Sequence, residues 1–267
     1  MVRTITFSED ELTSGAISED TLKEAVEIYT EDGCLLLNNV LSKDYVKTLH
    51  TSYIKKYSPY FKDKKFQNAL RVGDQRFMVT IKMETPFNSQ KVYANPLVYP
   101  IIENLLGDEC IINGFGSVVS LPDAPDQNTH YDHPALFKED KESSSKIPSS
   151  AITVITPLVE LNEKTGTTVM MPKSHRYPQN VNADYGLTYD FPTAPLGSVI
   201  LMDYRLRHYG MANRSGELRP ILYNIYSRPW FRDYRNYKKQ SALEVSKKDY
   251  KKIPDKLKHL FLFAEQI

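Results

Sequence analysis

The chain balances 34 basic against 33 acidic residues over 267 positions, so no net field draws it to nucleic acid or to an anionic membrane. A hydrophobic fraction of 41% is enough for one large core, and barrels and sandwiches reach this length as single units. Two cysteines, Cys34 and Cys110, lie in apolar stretches outside any Cys-x-x-Cys pattern, which excludes a disulfide framework and a zinc finger and leaves buried free thiols.

The opening "MVRTITFSEDELTSGAISED" is too acidic and polar for a secretory leader, and no run of about 18 apolar residues follows, so a cytoplasmic protein without a membrane span is expected. From Ile17, "ISEDTLKEAVEIYTED" predicts a helix capped by Ser18 and ended by Gly33. "CLLLNNV" reads as a short apolar strand. Ser42 to Tyr57 predicts a second amphipathic helix with Ser42 as its cap, and "NPLVYPIIENLLGDE" a third that Gly107 ends.

The texture then changes. "CIINGFGSVVSLP", "SSAITVITPLVEL", "TTVMMP", "GSVILMD" and "RPILYNIYSRPW" are strand-like segments punctuated by Pro, Gly, Asn and Asp. Short strands with loops of uneven length predict a sandwich or jelly roll rather than βαβ units. The fold class expected is mainly β with N-terminal helices, as one domain over 1–267. A helical part runs to about 107, a β core over about 108–235, and a helical extension over about 236–267. Two long connections, Lys138–Ser150 and Arg176–Pro195, are candidate lids or plain surface loops. The stretch Lys62, Lys64, Lys65, Arg71, Arg76 and Lys82 is basic and reads as a solvated face or as a binding surface for an anionic substrate; Arg76 and Lys82 are kept as pocket candidates.

In "QNTHYDHPALF", His130 and Asp132 are two apart and share a face on an extended strand, because side chains alternate with period two. An imidazole beside a carboxylate makes two thirds of a facial 2-His-1-carboxylate site, which suits Fe(II) because three coordination positions stay open. His208, after a β-rich run, is the candidate third ligand. Ten residues separate His208 from Arg219, which begins the next strand, and its planar fork suits the distal carboxylate of a dicarboxylic acid. Each part has a plainer reading: a surface turn, a core histidine, a salt-bridged arginine. His133 falls on the opposite face from His130 on a regular strand, and Tyr223 shares a face with Arg219; each is a pocket candidate or a packing residue.

Several co-linear motifs resemble the phytanoyl-CoA dioxygenase-like family of non-haem Fe(II)/2-oxoglutarate oxygenases. "YTEDGCLLLNNVLSKDYVKTL" is similar to the family's helix, glycine, strand and helix. "QNTHYD" resembles its Gln-x-x-His-x-Asp, "ELNEKTGTTVMMPKSHR" its turn before Pro-Gly-Ser-His, and "HYGMANRSGELRP" its closing His, Asn, Ser and Arg series. The resemblance covers about Ile17 to Trp230. It implies a double-stranded β-helix (jelly-roll, cupin-like) core flanked by helices. It implies iron on His130, Asp132 and His208, 2-oxoglutarate on Arg219 with Thr168 and Ser215 as further partners, and Gln127 near co-substrate or substrate. It also implies oxidation of a C–H bond in a small molecule, usually hydroxylation, with release of succinate and CO2. Lys173 stands where the family has glycine, which puts the shape of that turn in question. Glycine or alanine replaces the acidic ligand in halogenating relatives, so Asp132 speaks against halogenation. The readings left open are a jelly-roll metalloenzyme that does not use 2-oxoglutarate and a non-catalytic binding module. The partner expected is a small molecule, with a monomer or homodimer as the assembly.

Overall fold

The computed structural model describes residues 1–62, 69–234 and 242–267, so Lys64 and Lys65 and the start of the C-terminal extension lie outside the described residues. Two elements precede the first expected helix: β1 (Thr4–Thr6) and α1 (Glu9–Ser14). Helix α2 (Glu19–Asp32) starts where the Ser18 hydroxyl accepts from the Thr21 amide and stops at Gly33 in the left-handed region. After β2 (Cys34–Asn38), α3 (Lys43–Tyr57) is capped in the same way by Ser42. Then come α4 (Pro59–Lys62), β3 (Ala69–Gly73), β4 (Arg76–Thr80), α5 (Gln90–Tyr93) and α6 (Tyr99–Leu106). The remaining elements are β5 (Ile111–Ser120), α7 (Lys141–Lys146), β6 (Ala151–Pro157), β7 (Thr168–Met170), β8 (Val199–Asp203), β9 (His208–Gly210), β10 (Arg219–Ser227), β11 (Glu244–Val245), α8 (Lys247–Tyr250) and β12 (Glu265–Gln266), with 3-10 turns at Ser174–Arg176 and Asp255–Phe261.

One eight-stranded sheet runs in the order β1-β2-β8-β6-β10-β5-β4-β3, antiparallel except at β1–β2. A second, smaller layer faces it. There β7 pairs with β9, His130 bridges to β9, and Asp190 bridges to β7. Two opposed layers of antiparallel strands are the jelly-roll arrangement that the strand spacing predicts. The main sheet is apolar on both faces. Leu35, Leu37, Val154, Leu201 and Leu222 pack outward with the helices, whereas Leu36, Ile155, Ile200, Met202 and Ile221 pack between the layers. Burial on both sides explains why "CLLLN" and "VILMD" read as continuous apolar runs.

The front third is less purely helical than its sequence indicates, because β1, β2, β3 and β4 supply both edges of the large sheet. The loop from Lys138 contains α7, capped by Asp140. The connection from Arg176 is held down at several points: the Arg207 guanidinium donates to Ala183 O, and Asp190 and Ala194 pair with Met170 and Leu161. In the C-terminal part, Leu257, Leu260 and Phe261 are buried against the core, with Phe261 edge-on to Tyr93 at 5.2 Å. No helix among the described residues is long and apolar enough to cross a membrane.

Lys173, where glycine was expected, adopts a φ of 71°, so the turn keeps the left-handed conformation despite its side chain. The Lys173 ammonium lies 2.8 Å from Glu31, which ties the turn to α2.

The turn from β8 into β9 rests on a buried ion pair. Asp203 is fully buried; it accepts from Arg205 Nε and Nη2 at 2.9 Å and from the Arg205 amide at 2.8 Å. Burial alone would push the Asp203 carboxyl up, but the Arg205 charge and hydrogen bonds outweigh it and hold the group below its ordinary value of 3.8. A depressed carboxyl stabilises the fold above that ordinary value and loses the contribution as pH falls through it and below. Asp203→Asn, which strands a buried guanidinium, is expected to cost about 3–5 kcal/mol in urea denaturation. A loss under about 1 kcal/mol would show that the pair does not hold this turn.

Candidate metal and anion site

His130 and His208 face each other across the smaller layer as a directly hydrogen-bonded pair, each amide donating to the other's carbonyl at 3.0 Å. Their rings stand 4.4 Å apart, and His208 Nε2 is 3.5 Å from Asp132 Oδ1. The three candidate ligand atoms all lie within 4.8 Å of one another. Both imidazoles are oriented the same way: Nδ1 sits 2.8 Å from Asn128 O in His130 and 2.9 Å from Leu206 O in His208. A carbonyl can only accept, so each Nδ1 carries the proton and each Nε2 keeps its lone pair for a metal. Burial pushes the His208 imidazole below its ordinary value of 6.5, and the nearby His130 adds to this while Asp132 opposes it. His208 is thus in its ligand form at neutral pH. Thr153 Oγ1 donates to Asp132 Oδ2 at 3.4 Å and leaves Oδ1 toward the histidines.

A second cluster stands on the main sheet and meets the chain just past that short ladder, where both of its arginines reach the Met211 carbonyl. Arg76 on β4 and Arg219 on β10 both pair with Ser120 of β5, so the three residues form one cross-strand row. Both guanidiniums are buried, Arg76 at 0% and Arg219 at 3% exposure, and both donate to the Ser120 hydroxyl at 2.6 Å. Arg76 also donates to Pro125 O at 2.7 Å and Met211 O at 2.6 Å, and Arg219 to Thr167 O at 3.3 Å. Neither forms an ion pair among the described residues, and the Nε of each has no partner. Burial lowers Arg219 to about 9, with the Arg76 charge adding to the effect, and lowers Arg76 to about 10 against the opposing Asp126 charge. Two unpaired cations, desolvated side by side, are costly unless an anion joins them. With the histidine–aspartate cluster, they make a donor set for a metal ion and a carboxylate-bearing ligand.

The other candidates fall at different distances from this centre. Gln127 lies within it: its Oε1 accepts from the Gly210 amide at 2.9 Å and its Nε2 donates to Val72 O at 2.9 Å. A Cβ on Gly210 would stand 2.5 Å from Gln127 Oε1 and 2.7 Å from Arg76 Nη1, so only glycine lets the ladder close over the guanidinium. Thr168 is buried on β7 opposite Gly210. The Ser215 hydroxyl donates to Asn213 Oδ1 at 2.6 Å within the turn before β10. Tyr223 is buried over Gly116, where a Cβ would meet its hydroxyl at 2.3 Å, and the Asp132 charge reaches it. His133 is buried and packs edge-on against Phe231 and Tyr234. Arg76, read as a substrate-pocket residue, instead sits against Arg219. Lys82, read likewise, faces outward and pairs with Glu244 at 3.0 Å. Sequence reasoning did not single out Ser120, Thr153 or Tyr204. Tyr204 donates to the buried Asp233 at 3.2 Å and lies within reach of the Asp132 charge.

The sequence profile of the phytanoyl-CoA dioxygenase (PhyH) family matches residues 29–221. The chain is 23% identical over 206 residues to the dioxygenase trt7 of Aspergillus terreus, covering 74% of this chain and 70% of that protein. Among solved structures, it is similar to the non-haem alpha-ketoglutarate-dependent epimerase SnoN from nogalamycin biosynthesis, with a TM-score of 0.60, 14% identity, and coverage of 79% of this chain and 82% of that one. It is also similar to HygX from Streptomyces hygroscopicus, solved with nickel, 2-oxoglutarate and hygromycin B, with a TM-score of 0.60, 12% identity, and coverage of 84% and 90%. These likenesses show a shared fold.

Asp132→Ala is expected to abolish stoichiometric binding of Mn(II), read by calorimetry, with little change in thermal stability because Asp132 is a partly exposed residue. Wild-type affinity in that variant would place the ion elsewhere.

Proposed function

The chain belongs to the phytanoyl-CoA dioxygenase family and is an Fe(II)/2-oxoglutarate-dependent oxygenase, and on that premise we propose that His130, Asp132 and His208 hold its iron while Arg219 and Arg76 hold the distal carboxylate of 2-oxoglutarate. The observation that carries this reading is the buried pair of guanidiniums, neither in an ion pair among the described residues, that reaches the Met211 carbonyl just past the ladder of the two histidines. From His208 to the carbonyl of Met211 the strand advances roughly 10 Å, a span that suits a five-carbon diacid reaching from a metal to the cations. When bound, Fe(II) with 2-oxoglutarate and O2 supplies the oxidation, and succinate and CO2 leave as the co-substrate's products.

The protein's own part is positional. Asn128 O and Leu206 O fix the histidine tautomers, and Thr153 turns one Asp132 oxygen away from the histidines. Ser120 and the carbonyls of Thr167 and Met211 hold both guanidinium planes before any ligand arrives, so little reorganisation accompanies carboxylate binding. Gln127 locks the ladder between the two halves of the site. Thr168 is a further neighbour of the carboxylate; Ser215 acts through the turn that presents Arg219. Tyr223 and His133 stand on the substrate side. The reaction proposed is hydroxylation of a C–H bond in a small molecule. We further read 1–267 as a single catalytic domain.

Arg219→Ala is expected to raise the KM for 2-oxoglutarate on the order of a hundredfold, because it truncates one partner of a buried charge pair. Arg76→Ala should act in the same direction in a succinate-release assay, with kcat changed less than KM. Unchanged co-substrate affinity in both would move the carboxylate elsewhere. A product heavier by one oxygen atom supports hydroxylation; a product of unchanged mass and inverted stereochemistry would replace it with epimerisation.

A further inference from the structure

A cleft of about 760 Å³ is lined by His133, the residue that follows the proposed ligand Asp132, and its chemistry is lopsided. Its wall is largely apolar, with Leu136, Trp230 and Phe231 among the lining residues. Leu136 and Phe231 also belong to the apolar cluster around Tyr204 and Tyr223, the two tyrosines that the Asp132 charge reaches. The cleft therefore shares part of its apolar wall with the cluster that holds those two tyrosines, and His133, the residue after Asp132, lines it. Its rim carries Lys138 and Arg232, and no acidic side chain lines it among the described residues. The volume falls in the range of sites that enclose a drug-sized molecule.

One buried polar atom in this wall is unaccounted for. His133 is 5% exposed, and its Nδ1 lies 2.8 Å from Pro134 O, so that nitrogen carries the proton. Nε2 then presents a lone pair, yet it has no partner among the described residues. A buried acceptor left unmatched is costly, and a donor supplied by a ligand removes that cost. Phe231 and Tyr234 stand edge-on to the ring at 5.1 and 5.3 Å. Tyr234 is 55% exposed, so a rotamer change there gives access to Nε2 at small cost.

We infer that this cleft seats the substrate and that the substrate is a largely apolar carboxylic acid bearing a hydroxyl, the hydroxyl donating to His133 Nε2 and the carboxylate facing Lys138 and Arg232 at the rim. The inference rests on the oxygenase reading for its direction, since His133 adjoins Asp132 in the chain and Lys138 stands at the solvent edge. The apolar wall supplies the affinity, the histidine the register, and the rim charges the orientation.

Trp230 is the protein's single tryptophan and is 63% exposed in the cleft wall, so its fluorescence reports on this cleft. The test is binding of a rigid, transparent set of probes to the metal-free full chain: hydroxyadamantane carboxylic acid, adamantane carboxylic acid and adamantanol. Binding is read by calorimetry and by Trp230 emission. The hydroxy acid is expected to bind roughly three- to tenfold more tightly than either relative that lacks one group, with a change in Trp230 emission. In His133→Phe the advantage of the hydroxyl should vanish while that of the carboxylate stays. In Lys138→Glu, a change at an exposed position, the reverse should hold. Equal binding of all three probes to the unmodified protein would overturn the inference, as would a hydroxyl preference that survives His133→Phe, or binding without any response from Trp230. Because no iron is present, these outcomes are independent of the metal and co-substrate titrations that test the oxygenase reading.

Discussion

The short ladder between residues 127–130 and 208–210 is the constraint on which the site depends. Its backbone pairs set His130 opposite His208 at one end and Gln127 opposite Gly210 at the other. The first pairing brings two imidazoles within 4.4 Å, and the second lays the chain against the buried guanidiniums. Strand geometry is stiff, so the spacing between a metal and an anion site is set by residue count rather than by side-chain choice.

Two costly burials are stacked behind that ladder. Arg76 and Arg219 give up most of their hydration, and Ser120 with three backbone carbonyls returns only part of it. Asp203 and Arg205 are likewise buried, but as a matched pair that closes the turn leading into β9. The two cases differ in purpose. A matched pair is complete without a ligand, whereas two like charges hydrogen-bonded to neutral acceptors favour an anion beside them.

Much of the local structure was readable from residues alone. Ser18 and Ser42 before apolar periodic runs, with Gly33 and Gly107 after them, mark helix ends because capping is a short-range matter of a hydroxyl, an amide and a permissive φ. His130 and Asp132 were legible as a pair because period-two spacing is local. His208 and Arg219 stood out through their places beside strands and through resemblance to a family. The strands β3 and β4 were not read, since "RVGDQRFMVT" is broken by charge and looks like surface. Arg76 was noticed as a charge and given the wrong neighbourhood, because its partner Ser120 is 44 residues away and Arg219 another 99 beyond that.

By itself, then, the sequence determined most of the helices and the strands of the β core, and which residue types are available for iron and a dicarboxylate. Those properties follow from periodicity, caps and donor chemistry, all of which act over a few residues. The tertiary structure alone decided that Arg76 joins Arg219, that Lys82 turns outward to Glu244, and that His133 keeps a nitrogen unmatched among the described residues beside an apolar cleft. Each of these depends on which strands become neighbours in the sheet and on the direction a side chain takes once both layers have closed, and that is settled by packing over the whole chain.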